Sequence, residues 1–452
     1  MNVIWIVSDT FRRDYLGVYG NETIHTPSLD ALAARSVRFD RHYMASFPTM
    51  PARADFMTGR WTMSFMQWEA LPKDVVALAP ILASQGFHTA AIVDTPFYVR
   101  NGMYYDRGFQ TYSEIPGQRV QGQLSAVFSG RARNFDSECI ATQTFNEALH
   151  WLEGHYKEDF FLLIDVWDPH EPWDAPSYYT EPYWPDFDGE IVRPVYGYWQ
   201  KEPGMTEEKV KKALAAYCGE VTMVDTNVGN FIRRLENMSL MDNTAVIFTT
   251  DHGYYFGDHG GMFGKMVFAR DPDTGQRKMG IWSHSPFYEE VSALPLFIYI
   301  PGVSPAVYSG LTSAVDLMPT VLDILGQEIP SEVEGKSLLP AIHDQSVAGR
   351  DYVVSAHPFT NPGDMVKSID DFSREGEMYS TAAITTDEWS LLYVVEPGMS
   401  ELFHLPSDPK QEKNIISTNE NIARELHQQF VKLMRDTKTP ARLLEPRLEL
   451  IL

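Results

Sequence analysis

Cysteine is scarce in this chain: Cys139 and Cys218 are the only two in 452 residues. Two thiols build neither a disulfide framework nor a thiolate zinc site, so the fold must rest on its apolar core. Positive charge is also in short supply, with 37 Lys and Arg against 61 Asp and Glu and a formal net charge of -24. Such a surface repels phosphate backbones and anionic headgroups, which argues against nucleic-acid or membrane binding as the main role. No apolar run approaches the roughly 18 residues of a membrane span. The opening Met1-Asn2-Val3-Ile4-Trp5-Ile6-Val7 has neither a positively charged start nor a small-residue cleavage site. It reads as a strand rather than a signal peptide, so the protein is expected in the cytoplasm with the sequons at Asn21 and Asn237 incidental. Internal repeats and low-complexity tracts are absent.

What the chain does have is 44% apolar and 13% aromatic residues, enough for a sizeable core. At about 150 residues per domain, the length suits two or three domains, or one large α/β unit with an appendage. Val3–Val7, Thr89–Val93, Phe160–Val166, Ala245–Thr249 and Leu294–Ile300 are apolar runs without alternation. They predict strands buried on both faces of a mainly parallel sheet. Amphipathic patterns predict helices over Pro27–Arg35, Cys139–His155, Glu207–Leu235 and Val315–Leu325. Alternation of the two types predicts an α/β sandwich over residues 1–345. From residue 346 a hairpin (Ser380–Thr385 with Ser390–Glu396) and a helix (Asn421–Met434) predict a small C-terminal α+β subdomain. The stretch from Trp173 to Pro203 is crowded with Tyr, Trp, Pro and acid. It reads either as a lid or contact arm, or as a surface insertion packed on its own aromatics.

The predicted strands end in chemistry. Asp9 follows the first, Asp94 the second, Asp165 to His170 the third and Asp251-His252-Gly253 the fourth. Ligands of open parallel sheets bind at these carboxyl ends. Asp oxygens with a His nitrogen suit Zn²⁺ or Mn²⁺, whereas an all-oxygen set suits Ca²⁺ or Mg²⁺. Thr49 directly precedes a predicted helix with Pro51 in its first turn. Its hydroxyl therefore sits where free N–H groups and the helix dipole favour an alkoxide or a bound anion. Arg53, one turn along, has the fork to clamp two non-bridging oxygens.

Pro48-Thr49-Met50-Pro51-Ala52-Arg53, continuing to Thr58-Gly59-Arg60, resembles the signature of the sulfatase family, in the alkaline phosphatase superfamily. Other pieces fall in the family's order: Val7-Ser8-Asp9 with Asp14 and Tyr19-Gly20, Asp168-Pro169-His170-Glu171-Pro172, Asp251-His252-Gly253, Gly257-Asp258-His259-Gly260, and Gly264-Lys265. Asp316-Leu317-Met318-Pro319-Thr320 and Gly335-Lys336-Ser337-Leu338-Leu339-Pro340 resemble the close of its large domain. The resemblance implies an alkaline-phosphatase-like sandwich. It also implies a divalent metal held by Asp9, Thr49, Asp251 and His252, with catalytic roles for Thr49, Arg53, His170, His259 and Lys265. A second metal on Asp168, His170 and His284 is the further option that two-zinc relatives suggest.

The departures shape the functional expectation. Thr49 stands where sulfatases carry the Cys that becomes formylglycine, and Ser8 stands where many have a first metal-binding Asp. Asp94-Thr95-Pro96-Phe97-Tyr98 replaces the segment that supplies a substrate-binding Lys and His. Threonine nucleophiles in relatives of this superfamily transfer phosphoryl groups. The chain is therefore expected to hydrolyse a small anionic ester, a phosphodiester or phosphonate monoester, through a phospho-threonine. The alternatives are a sulfuric ester hydrolase and a non-catalytic homologue that binds an anion or a partner. A homo-oligomer is expected from the aromatic arm.

Overall fold

Asn2–Ser8 forms the first strand (β1) because both of its faces are buried. Val3, Trp5 and Val7 enter one apolar core, and Ile4 and Ile6 enter the other. An unbroken hydrophobic run is what such a strand requires. The computed structural model describes residues 1–95, 97–99, 102–116, 130–270, 277–361, 363–367, 375–377 and 381–452. For 269–270, 277–284, 366–367 and 375–377 it describes the backbone.

Seven further strands join β1 in the central sheet. In chain order they are β2 (Val37–Phe39), β3 (His88–Val93), β4 (Thr111–Glu114), β5 (Phe160–Val166), β6 (Thr244–Thr249), β7 (Leu296–Tyr299) and β8 (Ala306–Tyr308). Their order across the sheet is β8-β2-β7-β6-β1-β5-β3-β4. The β6-β1-β5-β3-β4 block is parallel throughout, with β7 antiparallel to both of its neighbours. Helices cover both faces. Those used below are α1 (Thr49–Thr58), α2 (Ile140–His155) and α3 (Glu207–Asn237).

The strand expected over Leu294–Ile300 is two. Ala293–Leu294 pairs with His42–Tyr43 in a side sheet, and Leu296–Tyr299 joins the central sheet. Pro295 lies between them, and a residue without an N–H cannot continue a central ladder. The aromatic arm is packed rather than free. Trp173 is buried against Tyr217, Tyr254, Phe256 and Phe263, and Thr180 sits on Gly219 of α3.

Beyond the central sheet, β9 (Val353–Ala356), β10 (Thr381–Thr385), β11 (Trp389–Val394) and β12 (Glu401–His404) form an antiparallel sheet in that order. The hairpin and helix expected there are present as β10–β11 and as α4 (Glu420–Asp436), while Ser380 lies outside the described residues. The apolar core does not stop at this sheet: Leu391, Phe403 and Phe430 belong to the same cluster as Trp5 and Phe56. No helix among the described residues is long and apolar enough to cross a membrane.

Candidate functional site

The carboxyl ends of β1, β5 and β6 lie side by side, and the loops leaving β1 and β6 are laced together. Asp251 Oδ1 accepts from the Thr10 N–H at 3.0 Å and from the His252 N–H at 2.8 Å, and Thr250 Oγ1 accepts from Phe11 N–H at 3.0 Å. Thr10 adopts φ 62°, a left-handed conformation that strains a β-branched residue. That strain is offset by the bonds that its N–H and its hydroxyl make to Asp251 and Asp9. Gly253 is required for a different reason. A Cβ there would lie 1.9 Å from the Glu290 carbonyl oxygen.

This lacing brings Asp9, Asp251 and His252 together, all fully buried, with one ligand atom from each within 4.8 Å of the others. Thr49 opens α1 beside them, after Pro48 at the N-cap. Arg53 ties the two parts. Its Nη1 lies 3.3 Å from the Thr49 carbonyl and 2.9 Å from Asp9 Oδ2, and it also pairs with Asp251. The other edge of its fork is taken by Asp165, at 3.0 and 2.7 Å. Sequence reading placed this fork on substrate oxygens; the structure has it wholly buried and spent on three protein carboxylates. Asp165, which the sequence places at the end of the third strand without a role, is the carboxylate that fixes the fork. Tyr98 and Thr95 also donate to it, at 2.5 and 2.8 Å. A carboxylate one place short of the end of a buried strand was the available signal.

One guanidinium against three buried carboxylates leaves a deficit of positive charge. The deficit shows in the titration of the pair. Burial, reinforced by the charge of Asp251, pushes Asp9 well above the usual carboxylate range. Burial acts on Asp251 too, but the charge of Arg53 outweighs it and holds that carboxyl low. Burial lowers His252 to about 3, so its imidazole is neutral and can ligate. Beyond the ion pair of Asp9 with Arg53, Asp9 Oδ2 and His252 Nε2 are sealed from solvent and make no hydrogen bond. Oxygens short of a cation and an orphaned imidazole nitrogen fit a divalent metal ion.

Lys265 and His170 form a second buried pair, with Lys265 Nζ donating to His170 Nε2 at 2.7 Å. His170 Nδ1 lies 2.9 Å from the Glu171 carbonyl and 3.2 Å from Glu171 Oε2. Lys265 is near enough to act on the charges of both Asp9 and His252. Ser8, at the family's first Asp position, donates to the Asp168 carbonyl at 2.7 Å and so fastens the β1 end to the turn that carries His170.

The second metal expected on Asp168, His170 and His284 falls in part outside the described residues. Both ring nitrogens of His170 are committed, Asp168 Oδ2 accepts from the Ala141 N–H at 3.3 Å, and the His284 side chain lies outside the described residues. The expected role of His259 on substrate oxygens is corrected. Its Nε2 lies 2.9 Å from Glu290, its ring stacks on Tyr288 at 3.7 Å, and it lines a cleft of about 750 Å³ with Arg12, Asp258 and Glu401.

Comparison with known proteins gives matches over nearly the whole chain. The family model Sulfatase matches residues 1–327, and the model N-sulphoglucosamine sulphohydrolase, C-terminal, matches residues 278–436. The chain is 26% identical to the arylsulfatase of Clostridium perfringens, over 93% of this chain and 91% of that protein. It is 22% identical to the N-acetylglucosamine-6-O-sulfatase of Bacteroides thetaiotaomicron, over 97% and 86%. Among solved structures, the phosphonate monoester hydrolase of Agrobacterium radiobacter shares the fold with a TM-score of 0.73 at 20% identity, covering 97% of both chains.

Proposed function

Because the chain belongs to the sulfatase family of the alkaline phosphatase superfamily, we propose that it is a metal-dependent hydrolase of a small anionic ester with Thr49 as nucleophile. The observation that carries this reading is the position of Thr49. It is buried at the N-terminus of α1, and Arg53 joins its carbonyl to the Asp9–Asp251 pair. Free N–H groups at that terminus favour the anionic group of a substrate. A divalent ion held by Asp9, Asp251 and His252 would supply Lewis-acid polarisation and lower the pKa of the Thr49 hydroxyl.

In the first step Thr49 Oγ1 bonds to the sulfur or phosphorus, and the bond to the ester oxygen breaks. The hydroxyl proton ends on the departing alcohol by way of the Lys265–His170 pair. Water then attacks the threonine ester, restoring the hydroxyl and freeing sulfate from a sulfuric ester, a phosphonate from a phosphonate monoester or a phosphate monoester from a phosphodiester. Arg53 acts here by fixing Asp9, Asp165 and Asp251 rather than by touching substrate.

The names of the relatives favour a sulfuric ester as substrate. A phosphonate monoester or phosphodiester is the second reading, and Thr49 favours it. Formylglycine releases sulfate by collapse of its hydrate, and threonine has no second hydroxyl for that route. A phosphoryl group also carries more negative charge, so it gains more from the same cations. The test compares kcat/KM on aryl sulfate, phosphonate monoester and phosphodiester, for the native enzyme and Thr49→Ala. Thr49→Ala should lose at least about a thousandfold on the best substrate. Sulfate as the best ester supports the first reading. Phosphorus ahead by at least about a hundredfold, ~2.7 kcal/mol in the barrier, selects the second. Undiminished turnover in Thr49→Ala removes both.

A further inference from the structure

At the end of the sheet away from Thr49, two histidines and a glutamate close on one another. His88 opens β3, His155 ends α2, and Glu158 lies in the turn that leads to β5. His88 Nδ1 is 2.7 Å from Glu158 Oε2, and His155 Nδ1 is 3.1 Å from Glu158 Oε1. One ligand atom from each residue lies within 4.8 Å of the others. Both rings are held in place. His88 Nε2 is 3.1 Å from Thr111 Oγ1, and Trp151 stacks on His155 at 4.6 Å while meeting His88 edge-on at 5.3 Å.

We propose that His88, His155 and Glu158 form a binding site for a divalent transition-metal ion, zinc by preference, which clips the end of α2 to the first residues of β3 and β5. Two imidazole nitrogens and one carboxylate oxygen are a ligand set for Zn²⁺, Cu²⁺ or Ni²⁺ rather than for Ca²⁺ or Mg²⁺. With no metal bound, the facing Nδ1 atoms need a proton each to bond the carboxylate. A cation displaces both protons and engages all three groups at once. Thr111 supplies the outer hydrogen bond that orients a metal-binding histidine. The site also lies at the C-terminus of a 16-residue helix, where the unpaired carbonyls favour positive charge. Side-chain exposures of 22%, 29% and 47% leave room for water to complete the coordination. Seven residues of β5 separate this cluster from the Asp9 set, about 20 Å at the rise of a strand, so zinc here acts on stability and not on the reacting groups.

The experiment uses the full-length protein, stripped with chelator and dialysed against micromolar Zn²⁺, with bound metal counted and the thermal midpoint recorded. The native protein should hold one more zinc than His88→Gln/His155→Gln, and its zinc-induced rise in midpoint should shrink in that variant. Glu158→Gln, which keeps both imidazoles, should weaken the extra zinc by at least about tenfold. Equal zinc content and equal shifts in all three proteins would overturn the proposal. Cu²⁺ loading of the native protein gives a readout that needs no variant. A copper signal split by two imidazole nitrogens supports the site, since His252 contributes one nitrogen to its own cluster. Splitting by single imidazoles alone overturns it.

Discussion

Arg53 governs the site at the scale of the residue. It is buried among Asp9, Asp165 and Asp251, and its removal leaves three carboxylates unpaired away from water. Arg53→Ala should therefore lower unfolding stability by about 3–5 kcal/mol, measured by urea denaturation. Arg53→Lys should not restore it, because an ammonium cannot bond Asp165 along two edges and also reach the Asp9–Asp251 pair. The role of Arg53 was only half legible in the sequence. Its distance from Thr49, one helical turn, could be read, but which way its fork points is decided by Asp165, a tertiary neighbour. His42 gives a prediction of a different kind. Burial lowers its imidazole to about 4, its Nδ1 pairs with Thr312 Oγ1 at 2.9 Å, and its Nε2 is buried without a partner. The unfolded chain takes up that proton near pH 6.5 and the folded one does not. Stability should fall as pH drops from about 6.5 to about 4, by roughly 3 kcal/mol from this one group. His42→Gln should flatten that part of the stability–pH curve, and an unchanged slope would show that His42 is protonated in the fold.

Elements fix where the residues go. The metal-ligating set depends on the β6 loop lying flush against the β1 loop and against Glu290. Gly253→Ala would drive a methyl into the Glu290 carbonyl. It should lower the thermal midpoint and weaken metal binding together, seen by calorimetry and by metal titration of the variant. Strands were the most legible part of the sequence. Runs such as Phe160–Val166 need both faces buried, and the residues that end them fall at the ligand-binding edge. That logic brings Asp9, Asp251 and His252 into view from the sequence alone. It failed for His259 because the segment after β6 turns through left-handed conformations at Gly257, His259 and Gly260, which point its imidazole to Glu290. Periodicity carries no information on such a turn. It also failed at Leu294–Ile300, where hydrophobicity is continuous but Pro295 divides the ladder.

At the scale of the whole molecule, the sequence suggested a boundary near residue 345 from a change in composition, but composition does not say whether a core is shared. Val354, Ile384, Leu391 and Phe430 lie in the cluster that also holds Trp5, Phe56 and Leu317. The fragment 1–345 should therefore expose a broad apolar face and aggregate, while the full chain should unfold in one transition by calorimetry. Two resolved transitions would show independent units. Metal couples to this fold by mass action. If Asp9, Asp251 and His252 hold the ion in the native state alone, a hundredfold excess over its dissociation constant adds about 2.7 kcal/mol of stability, removed by chelator.

The proposed reaction rests on Thr49 supplying the attacking oxygen. The most direct measurement is rapid acid quenching of the metal-loaded enzyme during turnover, followed by proteolysis and mass analysis of the peptide carrying Thr49. A sulfuryl or phosphoryl group on Thr49, formed and lost at rates that match turnover and missing from Thr49→Ala, is the predicted result. Full turnover with that peptide unmodified at every quench time would contradict the account.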